Sequence, residues 1–460
     1  MRQLKRILAL FLILGLWGGA ALAANPHTEY VQGEFKTGPD VTRVCLDCHE
    51  QQAEDFMKTS HWTWALEQEI DGKKVAAGKR NVLNNYCTQI KSNETSCNRC
   101  HAGYGFEDDS FDFSDKTRVD CLVCHDTTGT YVKGDAGWPA EGLNLLRIAQ
   151  NVGAPVRDNC GACHFYGGGG DAVKHGDLDS SMSYPESKTD IHMGLDGQDF
   201  SCQSCHVTKN HVIPGNSLGV SPGAASQLRC EDCHAGAVHQ ESRLNDHAAN
   251  IACQTCHIPY YAKEIPTKIW WDWSTAGDDS RDIIKDKYGL PLYVKKKGDM
   301  KYGKMVQPEY AWFETGEAIN HVRGQKIKDP NKVLMVAGPT STIKDKKARI
   351  YPFKVMGGKQ AFDPVNKTLL AVHQIGDDGY WTTFDWKRSA EIGMKAAGLP
   401  FSGEVDFIET RMYWRLNHMV SPASEALNCL DCHGDNGRLN WKALGYKGDP
   451  MVNPKWARSK

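Results

Sequence analysis

Apolar and polar positions along the chain change rhythm several times. Ile7 to Trp17 is an apolar run behind Arg2, Lys5 and Arg6. From Glu50 to Glu69 the apolar residues Phe56, Met57, Trp64 and Ala65 fall at helical spacing around His61. Ala237 to Ile251, Trp386 to Ala397 and Val405 to Met419 are also predicted helices, the last carrying Tyr413, Trp414 and His418. Cys97 to Gly137 is dominated by loops, with turns at Gly103-Tyr104-Gly105-Phe106 and at Glu107-Asp108-Asp109. Gly161 to Gly170 is glycine-rich, a composition that lets backbone lie close to a flat cofactor. Residues 258–311 look irregular, with Trp270, Trp271 and Trp273 ahead of Lys295-Lys296-Lys297. Residues 312–385 mix short extended pieces with Gly-Pro and Gly-Asp turns.

The first apolar run, its charged start and the small residues Ala21-Leu22-Ala23 read as a secretory signal over residues 1–23. The run is short for a spanning helix of about 20 residues. The mature chain, 24–460, is expected in the periplasm as a single domain. No basic patch suggests nucleic acid, and the formal charge is only −2. An apolar content of 40% and a mean hydropathy of −0.51 are low for a core of this size. A large apolar cofactor mass would supply what the side chains lack.

The cysteines supply that cofactor. Sixteen of the seventeen fall in eight Cys-x-x-Cys-His motifs: Cys45/Cys48/His49, Cys97/Cys100/His101, Cys121/Cys124/His125, Cys160/Cys163/His164, Cys202/Cys205/His206, Cys230/Cys233/His234, Cys253/Cys256/His257 and Cys429/Cys432/His433. This is the c-type haem attachment pattern, in which two thiols bond the porphyrin vinyl groups and the histidine ligates iron. Zinc fingers separate their histidines by several residues, so eight uniform copies exclude structural zinc. Seven motifs crowd into 45–257, then 258–428 has none before the last at 429–433. The spacing is too uneven for a tandem repeat. Cys87, in Asn84-Asn85-Tyr86-Cys87, is the one cysteine outside a motif. An unpaired thiol in an exported chain is either reactive or inertly buried.

A low-spin electron-transfer haem needs a second axial ligand, normally histidine. Ten histidines lie outside the motifs. His61 follows the first motif, and His192 and His211 bracket the fifth. His239 and His247 sit eight apart on one predicted helix, and His418 precedes the last motif. These six are the expected distal ligands. His175, His373 and His321 compete for a seventh place, and His27 is expected to be solvent-exposed. A haem with an open or weakly held sixth position is where substrate chemistry can occur. Lys174, just after the fourth motif, is a candidate weak ligand, because a lysine buried against iron must be neutral.

The eight motifs, their uneven spacing, the free Cys87 and the stretch from Cys160-Gly161-Ala162-Cys163-His164-Phe165-Tyr166-Gly167 through Asp171-Ala172-Val173-Lys174-His175-Gly176-Asp177 resemble the octahaem tetrathionate reductase family. The likeness runs over essentially the mature chain. It implies a mainly α multihaem cytochrome, with helices and long loops wrapped around eight packed haems and few strands. It also implies that the catalytic haem is the second, at Cys97, Cys100 and His101. Lys174 would be its distal ligand, with Cys87, Asn84 and Asp171 in the same cavity; Asn85 is an alternative to Asn84. Some members of the wider group bind calcium, and Glu107-Asp108-Asp109 is a candidate site, with a solvated acidic loop as the alternative.

The implied activity is reduction of tetrathionate to thiosulfate, with nitrite and hydroxylamine as further substrates. The substrate is thus a small inorganic anion. Electrons would come from a periplasmic or membrane-bound, quinol-linked donor cytochrome. A carrier with no substrate of its own and a hydroxylamine-oxidising enzyme are the alternatives. The sequence does not set an oligomeric state.

Overall fold

The computed structural model describes residues 27–70, 73–81, 83–85, 87, 89–214, 229–314 and 318–458. The segment 1–23 lies outside them. Among the described residues no helix is long and apolar enough to cross a membrane.

Around the motifs, helix comes mostly in single turns. Cys202–Cys205, Cys230–Cys233, Cys253–His257 and Cys429–Cys432 are each one turn that the motif itself builds. A Cys-x-x-Cys spacing on such a turn puts both thiols on one face. The longest helix, Gly38–Phe56, carries the first motif. Asp40 fixes its start by accepting from Thr37 N and Thr37 Oγ1, both at 2.8 Å. The helix bends at His49, whose backbone is non-helical (φ −117°, ψ 29°).

The expected helix over 50–69 therefore ends early. A second turn, Ser60–Thr63, closes on Trp64 in the left-handed region (φ 49°), and the chain continues as strand. Only Ser242–His247 of the predicted 237–251 helix is helical, so His239 precedes it. The helix at Trp386–Ala396 forms as expected, capped by Asp385, which accepts from Arg388 N at 3.0 Å.

The larger difference lies in the haem-free stretch. Leu66–Ile70 (β1) and Lys73–Ala77 (β2) form a separate hairpin. Then Thr267–Asp272 (β3), Tyr293–Val294 (β4), Gly298–Gly303 (β5), Glu309–Phe313 (β6), Ala318–Asn320 (β7), Leu334–Pro339 (β8), Arg349–Asp363 (β9), Thr368–Leu369 (β10) and Asp406–Arg415 (β11) build one sheet. Its order is β4-β5-β3-β9-β11-β8-β7, with β6 and β10 also on β9. The expectation of few strands holds only loosely, because this stretch gathers nine of them into one sheet. The predicted helix over 405–419 is β11, antiparallel to β9 from Asp406 opposite Phe362 to Arg415 opposite Phe353. Along it Ile408, Thr410, Met412 and Trp414 are buried and the residues between them are not, a period of two rather than 3.6.

The central strand β9 buries both faces, including Ile350, Phe353, Lys354 and Met356. Gly357 is required there, since a Cβ would come within 2.6 Å of the Trp270 ring. The main core gathers Trp271, Trp273, Met356, Met412 and Trp414 from the sheet with Leu83 and Val173 from the motif-bearing part, and Cys87 packs against it. The sheet thus forms one wall beside the stretches that carry Cys87 and Lys174.

Candidate haem sites and reactive centre

Seven motif histidines face a non-motif histidine. The pairs are His49–His27 (6.3 Å between ring centres), His164–His61 (6.1 Å), His125–His211 (6.2 Å), His234–His192 (6.1 Å), His206–His418 (6.4 Å), His257–His239 (6.1 Å) and His433–His247 (6.3 Å). Two metal–nitrogen bonds of about 2.0 Å, with about 1.1 Å more from each nitrogen to its ring centre, put facing imidazoles roughly 6.2 Å apart. Each gap therefore fits one iron.

The hydrogen bonds agree with that use. Nδ1 of His125 lies 2.8 Å from Gly153 O, that of His206 3.0 Å from Pro214 O, and that of His247 2.7 Å from Arg243 O. Nδ1 of His433 lies 2.6 Å from Asp449 and that of His418 3.3 Å from Asp177. Bonding at Nδ1 fixes the ring and leaves Nε2 for a metal.

The motif thiols are not equally enclosed. Several meet a thiol of another motif: Cys45 lies against Cys121, Cys100 against Cys163, Cys160 against Cys202 and Cys230 against Cys253. Such contacts bring haem attachment points side by side: the first with the third, the second with the fourth, the fourth with the fifth and the sixth with the seventh. Cys48, on the Gly38–Phe56 helix just before the bend at His49, is exposed, and Cys45 one turn before it is half-buried. Cys205, Cys233 and Cys429 are exposed as well, and Cys432 is buried.

All six expected distal histidines sit opposite a motif histidine. The seventh histidine to sit opposite a motif ring is His27, whereas His175, the expected candidate, sits opposite none. His27 lies on the short helix His27–Tyr30, which brings its ring against His49. The ring of His175 instead packs edge-on to Trp414 at 5.2 Å. Nδ1 of His373 lies 2.8 Å from Ser92 O, and His321 is buried, with its backbone N–H on Val336 O at 2.7 Å.

The second motif breaks the histidine pairing. Among the described residues no histidine ring faces His101. It is fully buried in a box of Trp62, Trp64, Phe106, Phe111 and Phe113, with ring centres 5.0–6.1 Å away. Burial pushes its imidazole down to about 3. Its Nε2 lies 2.7 Å from Trp62 O, and its buried Nδ1 has no hydrogen-bond partner. Cys97 and Cys100 are half-buried beside it. In this orientation Nδ1 is the ring nitrogen that would be open to a metal.

Lys174 comes to this motif from the loop after the fourth. Its charge acts on Cys100, and Cys100 and Cys163 act in turn on its amine. Its stem lies against Gly167, and its Nζ lies 5.3 Å from the ring centre of Trp414. Burial lowers the amine to about 8, with Lys79 adding to the shift.

Cys87 approaches from the other side, close enough to act on Cys97 and on Lys268. Asn84 sits at the turn before it and accepts from Cys87 N at 2.9 Å, so it shapes the thiol's loop. Asn85 is fully buried and donates to Met356 O at 2.6 Å, anchoring the same loop to β9. Asp171 does not hold the lysine. Its carboxylate accepts from Ser180 N at 3.0 Å and from Ser180 Oγ, closing the 171–180 turn, and it makes no ion pair with Lys174.

The acidic loop does not gather ligands for calcium. Asp109 pairs with Lys91, Asp108 accepts from Ser110 N, and Glu107 accepts from Trp138 Nε1. Among the described residues no three His, Cys, Asp or Glu side chains are placed to share a metal ion.

Two cations near the site went unnoticed in the sequence. Lys79 acts on Cys97, Cys100, His101 and Lys174, with its Nζ 4.4 Å over Trp64. Lys268 on β3 is buried with its Nζ 3.4 Å over Trp271, and burial lowers it to about 7. Nothing in their local sequence marks them; only the sheet brings Lys268 to Cys87.

The motifs and the facing histidines define a multihaem cytochrome c. Comparison with known proteins agrees. Residues 44–126 match the family model for cytochrome c554 and c-prime, and residues 268–436 match that for bacterial cytochrome c. The chain is similar to the crystal structure of an octahaem cytochrome c from Shewanella oneidensis, with 54% identity, a TM-score of 0.90, and coverage of 95% of this chain and 100% of that one. It is also 24% identical over 246 residues to an uncharacterised protein of Archaeoglobus fulgidus, covering 42% of this chain and 81% of that one. The chain belongs to the octahaem cytochromes c and carries eight covalently bound haems.

Proposed function

We propose that this protein is a periplasmic reductase of a small inorganic anion, acting where the Cys97–His101 motif meets Lys174 and Cys87. Tetrathionate is the first candidate substrate, with nitrite and hydroxylamine beside it. One observation carries the reading: seven motif histidines face a histidine at iron-spanning distance, and the eighth, His101, does not. The seven pairs would hold electron-carrying haems fed by a quinol-linked donor cytochrome. Lys174 would hold the sixth position at the eighth site, and an amine leaves more readily than an imidazole because a proton can capture it.

The bound haem supplies single electrons and, once Lys174 leaves, a coordination position. The side chains supply the rest. Lys79, Lys174 and Lys268 surround the two thiol positions with positive charge, which suits a dianion. Cys87 as thiolate can attack a central sulfur of tetrathionate, forming a sulfur–sulfur bond and releasing one thiosulfate. Two electrons then break the new bond, freeing the second thiosulfate and restoring the thiolate. Asp171, engaged with Ser180, takes no part in proton delivery in this scheme.

A steady-state assay with reduced dye against tetrathionate, nitrite and hydroxylamine in parallel tests the reading. Turnover of tetrathionate above the other two supports it. No turnover of any of them would leave an electron carrier as the better account.

A further inference from the structure

The loop that carries Lys174 is gripped along its backbone by the haem-free sheet. Thr267 Oγ1 on β3 donates to Ala172 O at 2.6 Å, with His175 O at 3.3 Å as its longer alternative. Lys354 Nζ on β9 donates to Val173 O at 2.8 Å, to Lys174 O at 3.2 Å and to Thr267 Oγ1 at 2.5 Å. Ala262 N donates to Gly176 O at 2.7 Å. Four carbonyls of the 172–176 stretch therefore meet donors from outside the loop at once, with Ala172 and His175 sharing the Thr267 hydroxyl.

Two features make this more than routine satisfaction of backbone. Lys354 and Thr267 are both fully buried, and Lys354 Nζ has three acceptors in reach here, two loop carbonyls and Thr267 Oγ1. An apolar side chain would fill the same space without burying an ammonium. The loop also needs outside support, because Ala172 is buried with φ 58°, a left-handed conformation that a residue with a Cβ adopts at a cost. The same strand pair reaches the lysine's tip: Trp414, opposite Lys354 on β11, has its ring 5.3 Å from Lys174 Nζ.

We propose that Lys354 and Thr267 are positioning residues for Lys174, holding its backbone so that the amine can leave the sixth position and return to it without the loop rearranging. This rests on the reading of Lys174 as a ligand. It gives the haem-free stretch a task in the chemistry as well as in folding.

The test uses the full haem-loaded protein with Lys354→Met, Thr267→Val and Thr267→Ser, and Lys174→Ala as reference. Electron paramagnetic resonance reads each ferric haem, and stopped-flow absorbance reads the rate at which cyanide binds. Lys354→Met should alter one haem signal, leave the seven bis-histidine signals in place, and speed cyanide binding at least about tenfold. Thr267→Val should do the same more weakly, and Thr267→Ser, which keeps the hydroxyl, should match the unaltered protein. A merely structural role would not single out one haem or be rescued by serine. If Lys174→Ala changes that signal while Thr267→Val and Lys354→Met do not, the clamp is refuted and the ligand reading stands. If Lys174→Ala also changes nothing, the ligand reading itself has failed. Should Lys354→Met yield no haem-loaded protein, the valine and serine variants at 267 decide alone.

Discussion

Lowering the pH should make the Lys174 site easier to occupy, by an amount the structure sets. The amine is held at about 8 instead of the ordinary 10.5, chiefly by burial and then by Lys79. The shift is downward, so the neutral, ligating form prevails above about 8 and the ammonium below it. An ammonium cannot bind iron, so each unit below 8 traps the displaced lysine about tenfold more strongly. Going from pH 8 to pH 6 should tighten binding of an external ligand by roughly 50-fold, provided that ligand keeps its own charge. Nitrite stays an anion across this range. The assay is an equilibrium titration of the ferric protein with nitrite from pH 6 to 9, followed by absorbance and paramagnetic resonance. Lys174→Ala should lose the part of this dependence that the amine supplies and keep only the shallower part that Lys268, lowered to about 7, can give. A flat profile in the unaltered protein, or the same slope in Lys174→Ala, would refute the argument.

Other substitutions separate the remaining roles. His27→Ala should convert the haem on Cys45–His49 to high spin, whereas His175→Ala should leave every low-spin signal intact; the reverse would mean that the ring pairing has been misread. Cys87→Ser should cut tetrathionate turnover on the order of a hundredfold while leaving nitrite turnover within about twofold, and equal losses would make the thiol structural. Lys268 is lowered to about 7, so it carries its charge below that pH and loses it above. Lys268→Met should therefore raise the KM for tetrathionate more at pH 6 than at pH 8, and an equal effect at both would exclude an electrostatic role.

The sequence carried the cofactor plainly, because covalent attachment demands a fixed spacing and a fixed set of side chains. The sequence also marks six of the histidines that face a motif ring, but not their partners: His61 follows the first motif and faces His164 of the fourth, and His418 precedes the last and faces His206 of the fifth. His27 was missed because a place near the mature terminus was taken to mean exposure; the Gly38–Phe56 helix and the turn before it return that terminus to His49. His175 was overvalued because it adjoins Lys174, yet the 172–176 backbone turns its ring onto Trp414. The sheet was hidden for two separate reasons. β9 is buried on both faces and shows no alternation, so periodicity could not mark it. β11 does alternate, at Ile408, Thr410, Met412 and Trp414, but its aromatic residues near His418 drew a helical reading. The resemblance implies a place for Asp171 in the cavity with Lys174. The chain turns at Ala172, and the carboxylate goes to Ser180 instead.

The central claim is that one haem, at Cys97–His101, differs from the other seven in its sixth ligand and that this ligand is Lys174. Electron paramagnetic resonance of the ferric protein beside Lys174→Ala and Lys174→His tests it most directly. The account predicts seven unchanged bis-histidine signals in all three. It predicts a high-spin or water-ligated eighth haem in Lys174→Ala, and an eighth bis-histidine haem with suppressed turnover in Lys174→His. Eight identical signals in the unaltered protein, or no change in either variant, would contradict it.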